Sequence, residues 1–164
     1  METAKCCVCQ KLKALLKCGI CNNPVCKKCV QFVEPETFPF FKKIPAKLAH
    51  STYCGPCYFN EIDPELKLYE QIVEEAKNVA IFYKDQGKET RRMARSTEIF
   101  SVKKCKDRNE AIMRLAFFAA QSGFNTLVDV DLQSEKIREG SYQHLIWHAD
   151  AVPVLLSSEK LKRK

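Results

Sequence analysis

The apolar positions along the second part of this chain follow a helical rhythm first and a strand rhythm later. Leu66, Tyr69, Val73 and Ala76 recur at helical spacing, with Glu70, Glu74, Glu75 and Lys77 mostly on the other face. Asp63-Pro64-Glu65 reads as a helix start, a capping carboxylate followed by proline at the first helical position. A helix is therefore predicted over residues 63–78. A short apolar run over 79–83 predicts a strand, a turn follows over 84–88, and another strand is predicted near 97–103. Asp107 with Glu110 has the form of a capping box, and the helix after it is expected to end at Gly123. Ile112, Leu115, Ala116, Ala119 and Ala120 would form its buried face. Leu127, Val128, Val130 and Leu132 share a stretch with Asp129 and Asp131, as a strand would over 126–132. Residues 139–141 read as a turn, and 142–156 as one long strand or two, with Pro153 marking an edge or bulge. The order strand, strand, helix, strand, strand predicts a small α+β sandwich, one helix on a mostly antiparallel sheet.

In the first 62 residues the organising pattern is cysteine spacing. Eight cysteines form four Cys-x-x-Cys pairs: Cys6/Cys9, Cys18/Cys21, Cys26/Cys29 and Cys54/Cys57. Two intervening residues let a tight turn aim both thiolates at one tetrahedral zinc. Eight ligands fill two four-cysteine sites with none left over, so two Zn2+ are expected. The gap of four residues between the second and third pairs is awkward for sites built in sequence. Sites closed by four cysteines leave no open coordination position, so zinc there would be structural and no enzyme is predicted. Cys7 reads as a bystander or outer thiol, and His50 as a surface residue. Residues 38–45, Phe-Pro-Phe-Phe-Lys-Lys-Ile-Pro, read either as a short core strand or as an exposed aromatic patch.

These pairs and their four-residue central gap resemble the FYVE zinc finger, over roughly residues 4–60. The resemblance implies a cross-braced arrangement. Cys6, Cys9, Cys26 and Cys29 would hold the first zinc, and Cys18, Cys21, Cys54 and Cys57 the second. FYVE domains that bind a phosphoinositide carry two histidines in a basic run before the third cysteine. Here that stretch is Lys13-Ala14-Leu15-Leu16-Lys17, with no His and no Arg, and the usual tryptophan motif is missing. The lipid function is therefore not carried over with the fold. Lys13, Leu15, Leu16 and Lys17 remain candidate lipid or partner contacts: Leu12, Leu15 and Leu16 among Lys11, Lys13 and Lys17 read either as an apolar tip ringed by cations or as a miniature core on the zinc turns.

Composition adjusts this picture in two ways. Met1 leads into Cys6 without an apolar run, and no stretch approaches the length of a membrane span, so a reducing, cytoplasmic setting is expected. The formal charge is +7, but each four-thiolate zinc centre carries −2, which brings the loaded chain to about +3. Residues 1–60 hold nine Lys, no Arg and three Glu. These lysines either offset the thiolates or form a surface for phosphates. Lys84, Lys88, Arg91, Arg92 and Arg95 read as a further basic stretch that contacts phosphate or an acidic partner or, diluted by Asp85, Glu89 and Glu98, stays solvated.

The second half is similar to small bacterial domains of the YbjQ type. The matching stretches are Gly123-Phe124-Asn125-Thr126-Leu127-Val128, then Asp129-Val130-Asp131, then Ala149-Asp150-Ala151-Val152. That likeness implies the α+β fold and a tendency to form homo-oligomers, but no activity. His144 and His148 share a strand face and, with Asp129 or Asp131, could make a metal site. The alternative is a half-buried strand surface. Cys105 reads as a partly buried thiol. The expected layout is a zinc domain over 1–62, a linking helix over 63–78, an α+β domain over 79–157 and a basic tail over 158–164. The function that fits best is a zinc-binding, non-enzymatic adaptor with a protein partner. Binding to an anionic membrane surface or to nucleic acid stands as the alternative.

Overall fold

Two short hairpins carry the cysteine turns of the N-terminal part. Strand β1 (Leu16–Lys17) pairs antiparallel with β2 (Pro24–Val25), and β3 (Val30–Phe32) with β4 (Thr52–Cys54). This computed structural model describes residues 4–157, and the expected basic tail lies outside them. The fold is α+β, with two four-cysteine sites at the start and a sheet-plus-helix region after them. The chain divides into two compact units, Met1–Glu70 and Gln71–Lys164.

The first unit has an apolar interior of its own. Val25, Phe38, Leu48, Tyr53 and Ile62 are almost fully buried. Neither reading of residues 38–45 holds whole: Phe38 is core, but the flanking backbone forms single 3-10 turns at Pro35–Thr37 and Ala46–Leu48 rather than a strand. Pro39 and Pro45 have no N–H to give a ladder, which explains the choice. Phe38 meets Tyr69 edge-on at 5.1 Å between ring centres, and Phe41 lies 5.0 Å from the same ring. The buried Tyr53 hydroxyl donates to the Lys47 carbonyl at 2.6 Å and accepts from His50 N–H at 3.2 Å, so it is fully satisfied.

The helix expected from Asp63 starts earlier. Helical backbone begins at Gly55–Cys57, passes through a π turn at Tyr58–Ile62 and continues as α1 (Asp63–Lys77). Gly55-Pro56 takes the first-turn proline slot that Pro64 suggested. Asp63 is thus inside the helix, where it pairs with Lys67 at 2.8 Å, instead of capping it. The π turn lies directly before Pro64, whose missing N–H interrupts the regular ladder there.

The second unit is a four-stranded sheet in the order β5-β7-β8-β6. Its strands are β5 (Ala80–Tyr83), β6 (Phe100–Cys105), β7 (Thr126–Glu139) and β8 (Tyr142–Val154); β5 is parallel to β7 and the other pairs are antiparallel. Helix α2 (Arg108–Gln121) packs on β6, β7 and β8. The Asp107 side chain accepts from Glu110 N–H at 2.8 Å, as a cap should. The Glu110 carboxylate reaches back to Lys106 N–H at 2.6 Å, one residue before the usual partner. Gly123, at φ +83°, follows the helix as expected. The buried face is wider than predicted: Ala111 and Phe117 are fully buried with Leu115, while Ile112 and Ala120 are only half-buried. Adjacent Leu127 and Val128 are both fully buried, so both sheet faces are covered. Val128, Val154 and Leu156, with Phe82 and Met93, form one such cluster.

Strand β7 outruns the sequence pattern, which marked it only over 126–132, whereas β8 lies within the expected 142–156. Residues 133–136 are all exposed, with no buried alternation to mark a strand. They are extended because β8 pairs with them across a two-residue turn at Gly140, φ +63°, from Glu139 opposite Tyr142. A bulge interrupts the ladder between Val128 and Asp131, with Asp129 at φ +53°. Arg95 clamps that bulge: its Nε donates to Asp129 Oδ2 at 2.7 Å and its Nη2 to Oδ1 at 3.3 Å. Its remaining donors reach the Thr90 carbonyl and hydroxyl at 3.3 and 3.1 Å. The Arg95 hydrogen bond holds the Asp129 carboxyl below its ordinary range. Arg95, expected to contact phosphate or solvent, thus ties its loop to the sheet. Pro153 lies beyond the last β6 pair, Phe100 with Ala151, so its missing N–H faces no β6 strand.

Leu115 is wholly buried between α2 and the sheet, so Leu115→Ala should lower the stability of the second unit by about 2–5 kcal/mol. Denaturant unfolding followed by the fluorescence of Trp147 measures it; a loss under about 0.5 kcal/mol would contradict this packing.

Candidate metal centres

Each of the first two cysteine pairs sits in the same local turn, built twice. Gln10 N–H donates to the Cys6 carbonyl at 2.9 Å, and Asn22 N–H to the Cys18 carbonyl at 3.0 Å. The cysteine amide reaches five residues on in both: Cys6 N–H to Lys11 O at 2.9 Å, Cys18 N–H to Asn23 O at 3.0 Å. The residue after the second cysteine is left-handed in both, Gln10 at φ +60° and Asn22 at φ +62°. The third residue of each turn, Val8 or Ile20, points its N–H at the first sulfur at 3.4 Å. The Cys-x-x-Cys spacing signalled the turn. The left-handed residue after it was visible only at Asn22, whose side chain tolerates that conformation.

The other pairs arrive by different routes. Cys26 and Cys29 bracket a turn closed by Cys29 N–H to Cys26 O at 3.1 Å. Cys54 ends β4 and Cys57 lies on the first helical turn after it. The chain folds these together as two groups, Cys6, Cys9, Cys26 and Cys29, and Cys18, Cys21, Cys54 and Cys57. Within each, all four sulfurs lie within 4.8 Å of one another. First and third pairs share one site, second and fourth the other, which is the cross-braced pattern. Cys7 N–H to Pro24 O at 2.8 Å stitches the first turn to β2.

The spacing suits zinc. A Zn–S bond of ~2.3 Å in a tetrahedron places neighbouring sulfurs about 3.8 Å apart. Cys9 and Cys26 sulfurs are 3.7 Å apart, and Cys21 and Cys54 sulfurs 3.8 Å. A disulfide needs ~2.05 Å, and all ten cysteines are free thiols. The chain therefore carries two sites each able to hold a zinc ion, which would neutralise half of the four-thiolate charge and fix the four sulfurs in place.

The electrostatics of the bare clusters explain why a dication is wanted. Backbone N–H groups of Cys9, Cys26 and Val8 outweigh burial at Cys6 and lower its thiol to about 6. At Cys18 burial opposes the charge, but the N–H groups of Cys54, Ile20 and Cys21 lower it to about 6 as well. Cys29 moves the other way, pushed up to about 12 because its thiol donates to Cys26 and Cys9. Cys57 is also raised, first by burial and then by donating to its neighbours. Each cluster thus accepts some negative charge readily and resists more. Cys7 is raised to about 11 by burial and then by the charge and thiol of Cys54, so it adjoins the second site as an outer thiol without joining it.

Gly19 makes room for the second site. A Cβ there would lie 2.4 Å from Cβ and Cγ of His50, which packs over the turn. His50 is exposed and is not among the sulfur ligands. The leucines of the neighbouring loop are not a miniature core: Leu12 is 57% exposed and Leu15 78%, with only Leu16 half-buried. Ala14 turns inward instead, its N–H on the Ala4 carbonyl at 3.1 Å. Lys13, at φ +79°, and Lys17 are exposed beside Leu15.

Among the described residues no third metal group forms. His144 and His148 do not join Asp129 or Asp131. Lys104 N–H donates to His148 Nδ1 at 3.3 Å, which leaves the ring hydrogen on Nε2 to face Glu135 at 3.1 Å. Asp131 faces Lys84 at 3.7 Å. Cys105 is fully buried, its thiol raised by that burial. No helix among the described residues is long and apolar enough to cross a membrane. Comparison with family models, with characterised proteins and with solved structures finds no match.

Zinc needs every ligand as thiolate, so its affinity should fall as pH drops from 9, first because the raised Cys29 and Cys57 must give up protons to bind it, and more steeply below about 6, where Cys6 and Cys18 take up protons as well. Binding at pH 7.5 should release fewer than eight protons per two zinc ions, because those two thiols are already ionised. Calorimetry in buffers of different ionisation heat counts them, and eight would refute this reading. Metal analysis should find two zinc ions per chain, and one or none after Cys26→Ser.

Proposed function

We propose that the chain is a non-enzymatic adaptor whose N-terminal unit is a FYVE-like, cross-braced zinc module that presents an apolar surface to a protein partner. The observation that carries this reading is the pairing of closed all-cysteine sites with exposed apolar side chains on the same unit. Zinc with four sulfur ligands has no open position for water or substrate, so its work is to shape the fold. Leu12, Leu15, Phe32 and Phe59 are each more than half exposed. Large apolar side chains held in water by a small rigid unit suit a binding surface. No nucleophile with an adjacent base stands out from the sequence to favour catalysis.

A second reading has one observation in its favour. Leu15 is exposed, with exposed Lys13 and Lys17 two residues away on either side in sequence, a pattern fit for insertion into an anionic bilayer. Nucleic-acid binding through the basic stretch is weakened by Arg95, which is occupied with Asp129.

The double variant Leu12→Asp, Leu15→Asp tests both readings. It should keep two zinc ions and lose the partners captured by the wild type in a pull-down. In sedimentation with phosphatidylserine vesicles the wild type should stay in the supernatant at all salt concentrations. Salt-sensitive pelleting that the variant abolishes would replace the adaptor reading with the membrane one.

A further inference from the structure

The second unit holds a cleft of about 670 Å³ where β5 ends and α2 begins. That volume suits a small molecule. Its walls include Tyr83 at the end of β5 and Trp147 in β8, the sole tryptophan of the chain. Trp147 is half-buried, so part of its surface stays open. Two aromatic walls favour a flat ring as occupant.

Arg108 supplies the polar anchor. Its guanidinium carbon lies 5.2 Å from the centre of the Tyr83 ring, a stacked pose that orients the group before anything binds. Arg95 is tied to Asp129 and Arg114 to Glu110, the latter at 2.7 Å. Among the described residues Arg108 has no such carboxylate partner. An oriented, unpaired guanidinium at an aromatic cleft matches a phosphate group with its fork of donors.

The remaining groups narrow the choice. Lys84 faces Asp131 at 3.7 Å, and Asp85 also lines the cleft. Two cations against two carboxylates leave no net charge, which fits one phosphate better than a string of them. Carboxylates accept hydrogen bonds from hydroxyls, as a sugar would offer. Tyr83 N–H holds the Gln86 Oε1 at 2.8 Å, which frees the amide hydrogens of Gln86 to donate. From this arrangement we infer that the cleft binds a base carrying one phosphate, with the ring on Trp147, the phosphate on Arg108 and the sugar hydroxyls towards Asp85 and Asp131. The source is a free mononucleotide or a unit of single-stranded RNA.

Trp147 reports binding directly in the zinc-loaded full chain. Titration with adenosine monophosphate should change its fluorescence saturably. Adenosine should bind at least tenfold more weakly, and inorganic phosphate alone should leave the emission unchanged. Arg108→Ala should weaken the nucleotide at least tenfold without shifting the melting temperature, and Arg108→Lys, which keeps the charge but loses the fork, should fall between. A response to a hexaadenylate strand alone, equally sensitive to Arg108→Ala, would assign the strand as the source. No saturable response to either probe, or one indifferent to both Arg108 variants, overturns the inference.

Discussion

Four thiolates held within 4.8 Å of one another repel, and the first unit is arranged around that constraint. The backbone meets part of it, aiming amide hydrogens at Cys6 and Cys18 from the turns that carry them, and at Cys6 from Cys26 as well. The rest shows in Cys29 and Cys57, which keep their protons and donate them to neighbouring sulfurs. A divalent ion removes the conflict by replacing those protons. Because ligands of the two sites alternate along the chain, neither site can form without fixing segments that belong to the other. One ion then joins turns 20 residues apart, from Cys6 to Cys26, and the other joins turns 36 residues apart, from Cys18 to Cys54.

Coordination does not act alone. Phe38, Tyr53, Ile62 and Tyr69 form an interior beside the metal turns, larger than a cysteine-dominated sequence suggests. Phe38 and Tyr53 come from the long stretch between the third and fourth pairs, where Pro39 and Pro45 block a strand but leave the rings free to pack, and Ile62 and Tyr69 come from the helical segment after the fourth pair. The second unit is held by ordinary means: a helix over one sheet face, an apolar cluster, and an arginine clamp at a bulge.

The ligand set was legible because a Cys-x-x-Cys pair brings its two sulfurs together locally, through a shared turn in the first two pairs and through a different turn or a strand end and helical turn in the other two. The helix at Arg108–Gln121 was legible for a similar reason, since its cap and its glycine stop act within one turn of their own residues. What the sequence hid depended on distant partners. The outer half of β7 has no alternation to read and is a strand only because β8 lies beside it. Arg95 resembled a free surface charge, and nothing nearby in sequence marked Asp129 as its partner. The start of the helix before Asp63 was masked by two competing proline signals, Pro56 and Pro64, of which the first prevails. Leu12 and Leu15 looked like core material, yet Ala14 occupies the inward position between them.

The π turn at Tyr58–Ile62 has a consequence for the helix that follows. Each residue of an α-helix advances the phase by about 100°. A wide turn between Cys57 and α1 therefore sets the angle at which the rest of the helix leaves the second zinc site. At that angle Tyr69 meets Phe38 and Phe41. Shortening the turn by one residue would restore regular winding yet rotate the helix out of phase, carrying Tyr69 away from both rings. The irregular turn thus works as a phase adjuster, matching the pitch of a helix to a metal site whose position is fixed by other parts of the chain.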